Sequence, residues 1–402
     1  MPPRVNPTPP LYTPAFWIAC AIHFTGAMSM GMFLLFPLLV RALGGDELTI
    51  GLVLGSGLAA SVALRPAVGA LLDRLGRRRV LLGAGVLNVA SFPPFLLLGD
   101  TGPWLYALAT LHLVVAGALF AAWFTYAADL VPAGRRVEGI AIFGVAGMAP
   151  NGLGPWLGEA LIAHTGFSGF LLAAAGFALL SVALTTLVEE RDRAPVHTPA
   201  PHSAARDLTR LVLRGGLLPV MTATVMFGAG INAAFYFVAP FTRDLHIGRA
   251  APFFAAYAAT TIGLRIFGRR LPDRVGAHPI AVPAFGIFAL GLAALCLLPR
   301  PGVLVAAGMA CGAGHGSLFP VLNGLTVTRT PARFHGTVVS LYTAALDGGA
   351  VLGTPLCGAI AHAAGYRAMF AAMAAASLTG LLVMTRDARR MPTRLGAPGA
   401  MS

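Results

Sequence analysis

Lysine is absent from this 402-residue sequence; all 28 basic residues are arginine. A P-loop needs a lysine on the nucleotide phosphates, and Schiff-base chemistry needs a lysine amine. Neither route is open to this chain, so direct ATP drive would require a partner subunit. The coding bias of a GC-rich genome suffices to explain arginine in place of lysine. Charge of either sign is also scarce, at 11% of residues against 57% hydrophobic ones and a mean hydropathy of +0.77. Soluble domains carry roughly 25% charged residues. So little charge cannot cover a water-soluble globule, and lipid must be the solvent for most of the chain. Cysteine is rare too. Cys20, Cys296, Cys311 and Cys357 lie singly inside apolar stretches, without the paired spacing of a metal site or a disulfide framework, and read as small buried hydrophobes. The opening MPPRVNPTPPLYTP lacks the apolar core and small-residue cleavage site of a signal peptide.

What is present is a succession of apolar stretches. About 20 such residues cross the hydrocarbon core as a helix, and twelve stretches qualify: 15–40, 48–71, 79–98, 103–128, 139–163, 167–188, 216–241, 250–271, 279–298, 302–327, 336–361 and 366–385. Gly, Pro or charge punctuates them, as at Leu43-Gly44-Gly45-Asp46 and Pro299-Arg300-Pro301. The longest polar interval, 189–214, divides them six and six. The expected organisation is a disordered tail (1–14), a six-helix bundle (15–188), a cytoplasmic linker (189–214), a second bundle (215–385) and a cytoplasmic tail (386–402).

Arginine placement sets the orientation. With both termini cytoplasmic, 21 arginines fall in inside segments and five outside (Arg41, Arg243, Arg249, Arg300, Arg367), while Arg65 and Arg265 lie within spans. This bias predicts a multi-pass protein of the inner (plasma) membrane. It also accounts for the net charge of +13 without any nucleic-acid partner. The two halves repeat each other: at an offset of 200, Arg65 pairs with Arg265, Asp73 with Asp273, Arg74 with Arg274, Gly76 with Gly276, Pro155 with Pro355 and Gly158 with Gly358. Two homologous six-helix halves is the economical explanation.

Between the second and third spans stands Gly69-Ala-Leu-Leu-Asp73-Arg74-Leu-Gly76-Arg77-Arg78. Gly76 permits a tight turn, Asp73 at a helix end can face the positive N-terminus of a neighbouring helix, and the arginines can bind carboxylates and phosphates. This segment resembles the signature loop of the major facilitator superfamily, and the resemblance extends over essentially the whole chain. It implies an all-α membrane fold of twelve helices in two pseudo-symmetric bundles. It also implies a conformational latch of Gly69, Asp73, Arg74, Gly76, Arg77 and Arg78, in which Asp73 faces the eleventh helix near Gly336 when the cytoplasmic side is closed. The second copy keeps Asp273, Arg274 and Gly276 but loses the trailing arginine pair, so its latch should be weaker.

Gly154-Pro155-Trp156-Leu157-Gly158 resembles the fifth-helix element of superfamily exporters, the drug or metabolite permeases of bacteria, although Glu159 stands where a last glycine is expected. A generic small-residue packing face is the other reading. Many of those exporters carry an arginine in the fourth helix where this chain has Ala109, with His112 about a turn away. Ala128-Asp129-Leu130-Val131-Pro132, followed by Arg135 and Arg136, matches the usual exit from that helix.

Ionisable groups inside a bilayer are costly and default to function. Asp347 lies about 16 Å into its predicted span at 1.5 Å per residue, near the midplane. It is a candidate for proton coupling or for a helix-packing hydrogen bond. Glu159 and His112 are further coupling candidates. The resemblance implies that the first, fourth, seventh and tenth helices line a central cavity, which makes His23, His112, Asn232, Tyr236, His315 and Asn323 candidates for contact with solute. Arg65 and Arg265 are expected to snorkel to the headgroups or to serve structure. No two histidines share a ligand-like i, i+4 spacing, so neither metal nor cofactor is expected.

These features predict a monomeric secondary active transporter, with proton-coupled efflux of a drug-like or metabolite solute as the leading reading. A symporter importing a sugar, amino acid or organic acid is the alternative. A membrane-embedded enzyme would need catalytic groups gathered at one interface, and the sequence shows neither a nucleophile–base pairing nor a metal motif. A non-transporting sensor would need an attached soluble domain.

Overall fold

The computed structural model describes residues 10–132, 135–190, 216–268, 271–331 and 334–390. The tails before and after these residues, and the linker from 191 on, lie outside them. So do Arg269, Arg270 and Arg333, and the side chains of Arg136 and Asp273. The described residues are helical throughout, with no strand among them.

Twelve spans result, although local chemistry breaks several of them. The first is Pro14–Phe33 continued by Phe36–Ala42, re-started where Pro37 falls in a new first turn. The second, Glu47–Leu75, runs a turn past its predicted end, to Gly76 at φ 95°. The third is Arg77–Ser91 with a short 3-10 extension, Pro93–Leu97, and the fourth is Pro103–Leu130. Arg136–Met148 and Pro150–Thr186 hold the fifth and sixth, separated at Gly166 (φ 69°, ψ −168°). The seventh is Leu218–Asp244, and the eighth is Ala251–Phe267 with a short continuation Leu271–Val275. The ninth and tenth are His278–Leu295 and Pro301–Thr328. His335–Arg390 holds the last two, separated at Gly365 (φ 82°, ψ 165°). Gly166 and Gly365 break corresponding helices of the two halves with matching backbone, as Gly76 and Gly276 (φ 88°) end another corresponding pair. The repeat is therefore written in backbone geometry as well as in sequence.

The exterior is apolar. Leu97, Phe267, Trp104, Leu352 and Leu290 are 69% exposed or more, which fits lipid around the bundle rather than water. Within it the core is not uniform. One apolar cluster runs unbroken from the first, second and fourth spans into the whole second half, through residues such as Phe33, Leu39, Val53, Phe237, Phe254 and Cys357. A separate cluster, with Phe16, Leu72, Leu119, Trp123 and Phe143, fills the first half towards the arginine-rich side. The two halves thus share a core near the arginine-poor side and part company towards the arginine-rich one.

Small residues make that shared seam possible. A Cβ on Gly358 would lie 2.5 Å from the Glu47 carbonyl oxygen, and one on Gly55 would lie 2.3 Å from Pro355, so spans 2 and 11 touch backbone to backbone. Spans 5 and 8 meet through Gly152, whose Cβ would sit 3.0 Å from that of Ala258. Gly154 and Gly158 of the fifth-span motif instead pack on the first span, against Gly31 and Leu35.

Three glycine-to-alanine changes separate these effects. Gly365→Ala adds a side chain in open space but forces it into a glycine-only conformation, at a cost of about 1–3 kcal/mol. Gly358→Ala drives a methyl group into backbone and should lower the unfolding temperature in detergent further. Gly348→Ala, helical with nothing within 4 Å, should leave it unchanged or slightly raised.

Candidate functional site

Only some of the candidate residues come together. His23 is buried, stacked on Phe143 at 4.4 Å and packed against Trp123, and its Nδ1 donates to the Phe143 carbonyl at 3.1 Å. His112 is buried as well, stacked on Phe33 at 4.0 Å with Nδ1 3.0 Å from the Ser91 hydroxyl. Both sit in the interior of the first bundle, where aromatic stacking and a local hydrogen bond satisfy each ring.

Asp347 has a partner that the sequence did not suggest. Its Oδ2 accepts from Arg65 in a short ion pair that joins span 11 to span 2 across the two halves. Their side chains are 24% and 40% exposed, so the pair is shielded from bulk solvent without being sealed. Of the two roles expected of Arg65, it takes the structural contact and does not snorkel: span 2 continues ten residues beyond it, to Leu75, and its guanidinium turns inward to the carboxylate.

Arg265, the repeat mate of Arg65, also turns inward. Its guanidinium lies over the Phe319 ring, 5.5 Å from the centroid, and Nη1 lies 3.5 Å from where a Cβ of Gly144 on span 5 would be. Around it stand Tyr342, whose hydroxyl donates to the Phe319 carbonyl at 3.0 Å, and Tyr257, which shares a short hydrogen bond with His315 Nδ1. Of the remaining candidates, Asn232 spends its amide on the Gly228 carbonyl at 3.0 Å, Tyr236 is 9% exposed, and Asn323 keeps a buried side-chain oxygen with no hydrogen-bond partner.

Polar clasps close the arginine-poor ends. Glu159 is buried, and its two oxygens accept from the backbone N–H groups of Ala250 at 2.7 Å and Ala251 at 3.0 Å. A carboxylate of one half thus caps the N-terminus of the eighth span in the other. On the seam's other side Thr49 donates to Asp46 from its hydroxyl at 2.7 Å and its backbone N–H at 2.8 Å, holding that carboxyl below the usual range. His362 of span 11 lies 3.0 Å from the same carboxylate. Arg41 links Glu47 and Asp244, each at 3.2 Å.

The arginine-rich ends carry contacts within each half. Arg77 Nε donates to Asp129 at 2.8 Å, its backbone N–H donates to Glu190, and Arg78 reaches the Thr186 carbonyl. In the second half Arg329 and His278 meet Asp387 at 2.5 and 2.9 Å. Asp73 and Arg74 are exposed, and a Cβ on Gly69 or Gly336 would meet nothing within 4 Å. Among the described residues Asp73 makes no contact with the start of the eleventh helix in this conformation. The second copy's Arg274 is likewise exposed.

The cap by Glu159 can be read directly. Hydrogen bonds to a charged group contribute about 1.5–3 kcal/mol. Glu159→Ala should therefore accelerate deuterium exchange of the 246–254 amides about tenfold or more, and Glu159→Gln, which retains one acceptor, should do so less. Unchanged exchange in both variants would contradict the cap.

The comparisons agree with this architecture. The model of the major facilitator superfamily matches residues 16–303 and 254–400. An uncharacterized MFS-type transporter of Pseudomonas aeruginosa (strain UCBPP-PA14) is 26% identical, over 96% of this chain and 98% of its own. Another from Burkholderia mallei (strain SAVP1) is 26% identical over 89% and 87%. Among solved structures, a variant of the nucleoside transporter NupG superposes with a TM-score of 0.78 at 12% identity, covering 93% of this chain and 99% of that one. The peptide transporter POT, in complex with sulfate, gives 0.74 at 18% identity over 94% of each. At such identities the structural likeness speaks for the fold alone. Twelve spans in two repeated halves, a shared seam and the whole-chain match lead to one conclusion: the chain belongs to the major facilitator superfamily of multi-pass membrane transporters.

Proposed function

We propose that this secondary transporter is a proton-coupled exporter of a drug-like or metabolite solute, residing in the inner membrane with its arginine-rich side in the cytoplasm. The observation that carries the reading is the Arg65–Asp347 ion pair, which ties the two halves together within the membrane-spanning helices; the scheme takes the arginine-rich side as the open one. Solute would bind between the halves, entering from that open side.

Proton and solute share the conformational change in this scheme. With Asp347 ionised, the pair is neutral as a unit and holds the open arrangement. Protonation of Asp347 cancels its charge and leaves Arg65 without a counter-ion in a medium of low dielectric, which changes the balance between the two arrangements. One proton taken up by Asp347 from the outside is released to the cytoplasm when the carboxylate returns to Arg65. Solute leaves in the opposite direction. The clasps at Glu159 and Asp46 open and re-form with each cycle, and the Asp73 latch would engage in the alternate arrangement.

A resistance and accumulation screen over drug-like and metabolite solutes tests the scheme, followed by flux in proteoliposomes under an imposed pH gradient. Cells with the intact protein should hold less solute, and a protonophore should abolish the difference. Asp347→Asn should lose gradient-driven transport at least tenfold at every pH. The double variant Arg65→Gln/Asp347→Asn, which leaves no unpaired charge, should express normally and still fail. Wild-type transport by Asp347→Asn at every pH would remove it as the coupling acid. Uptake driven by an inward proton gradient would reverse the direction.

A further inference from the structure

The repeat is chemically lopsided at one place. At the offset of 200 that maps Arg65 onto Arg265, Asp347 maps onto Gly147. One arginine of the pair has its carboxylate and the other does not: among the described residues Arg265 makes no ion pair, and its named contact is the face of Phe319. A half-buried guanidinium inside a membrane protein without a counter-ion is costly. It can be kept where a ligand supplies the missing charge.

We propose that Arg265 anchors a site for a small organic monoanion, a carboxylate on an aromatic or aliphatic body, held between spans 5, 8, 10 and 11. This deepens the transport reading and rests on it, since it names the class of solute carried. Four observations converge on that class.

The first is direction. Arg265 Nη1 points across the seam to Gly144, not outward to headgroups, and the side chain is half-buried on the side where the halves separate. The second is reach. Arg265 Nη1 lies 3.5 Å from where a Cβ of Gly144 would be, so no side chain at Gly144 stands between the guanidinium and the backbone of span 5. The third is charge. Arg65 and Asp347 cancel, which leaves Arg265 a positive charge with no ion-pair partner among the described residues. A monoanion neutralises it, a dianion would leave one charge over, and a cation would be repelled. An arginine fork also matches a carboxylate in two parallel hydrogen bonds. The fourth is the wall. Phe319, only partly buried, offers ring surface under the guanidinium to an apolar body, with the buried rings of Tyr342 and Tyr257 packed behind. His315, Phe319 and Asn323 follow one another at four-residue spacing on one helix face. Asn323 brings a buried oxygen that lacks a partner, which can accept from a hydroxyl or N–H group on the same ligand.

The test is equilibrium binding to the full chain purified in detergent, read as the shift in unfolding temperature and by calorimetry. The probes are benzoate and hexanoate against benzyl alcohol, benzylamine and inorganic phosphate. Either carboxylate should stabilise the wild type, and the neutral alcohol, the amine and phosphate should not. Arg265→Gln should weaken carboxylate binding at least tenfold, and Arg265→Lys should retain part of it. Because loss in Arg265→Gln could reflect misfolding, a second change supplies the missing counter-ion in place. Gly144→Asp sets a carboxylate beside Nη1 and should abolish binding, while Gly144→Asn should preserve it in an equally folded protein. Absence of binding by both carboxylates, undiminished binding in Gly144→Asp, or stabilisation by benzylamine or phosphate instead would each overturn the site. No gradient is needed for this measurement. Failed binding beside intact proton-driven flux rejects the anion site alone, and binding without flux rejects the coupling scheme alone.

Discussion

An arginine and an aspartate that neutralise each other inside a bilayer protein cannot be parted without consequence, because the charge left behind has no water to turn to. Arg65 and Asp347 are such a pair, contributed by different halves of the molecule. Much of the remaining architecture is arranged around their meeting. Spans 2 and 11 approach closely enough only because Gly51, Gly55 and Gly358 remove side chains from the seam. The clasps that hold the seam, Glu159 on Ala250 and Ala251 and His362 beside Asp46, all lie towards one end of the bundle. A hinge closed at one end with a charge pair farther along its arms is the arrangement that a rocking transporter requires.

Duplication explains the scaffold, and departures from duplication mark where the halves differ in task. Positive-φ glycines recur at corresponding points, as do Pro155 and Pro355 in facing positions. Polar chemistry does not recur. Arg65 has a carboxylate partner while Arg265 lies over a phenyl ring. Glu159 caps a helix of the other half, where its repeat counterpart is Ala359. At the arginine-rich ends the sign of charge is exchanged, with Asp129 of the fourth span receiving Arg77 and Arg329 of the tenth span reaching Asp387. A duplicated backbone thus carries two different electrostatic surfaces facing one another.

The fold was legible because lipid imposes a simple rule on sequence. The twelve apolar stretches follow from the need to satisfy backbone polar groups within helices, the arginine-rich side from the positive-inside bias, and the 200-residue offset from duplication. Boundaries slipped where a helix continued past its apolar core, as the second span does to Leu75. That difference bears on Arg65, which stands near a helix end if the helix stops at 71 and deeper in the interior if it runs to 75. Asp347 stood out correctly as an interior acid, but its partner lies 282 residues away and no local pattern announces it. The surroundings of the histidines are not legible in the sequence either. A histidine in a membrane helix has two ways to be satisfied, and the stacking of His23 on Phe143 and of His112 on Phe33 depends on rotation about the helix axis, which spacing alone does not fix. The signal that was present and underused was the pair of in-span arginines at equivalent positions.

The central claim is that protonation of Asp347 governs how the halves sit relative to each other. Spin labels at Leu75 and Thr337, near the arginine-rich ends of spans 2 and 11, report that arrangement as a distance distribution. The account predicts a long-distance population at neutral pH that gives way to a shorter one on acidification. Asp347→Asn should then show one distribution at all pH values. A pH response of equal size in that variant, or a wild-type distribution that ignores pH, would contradict it.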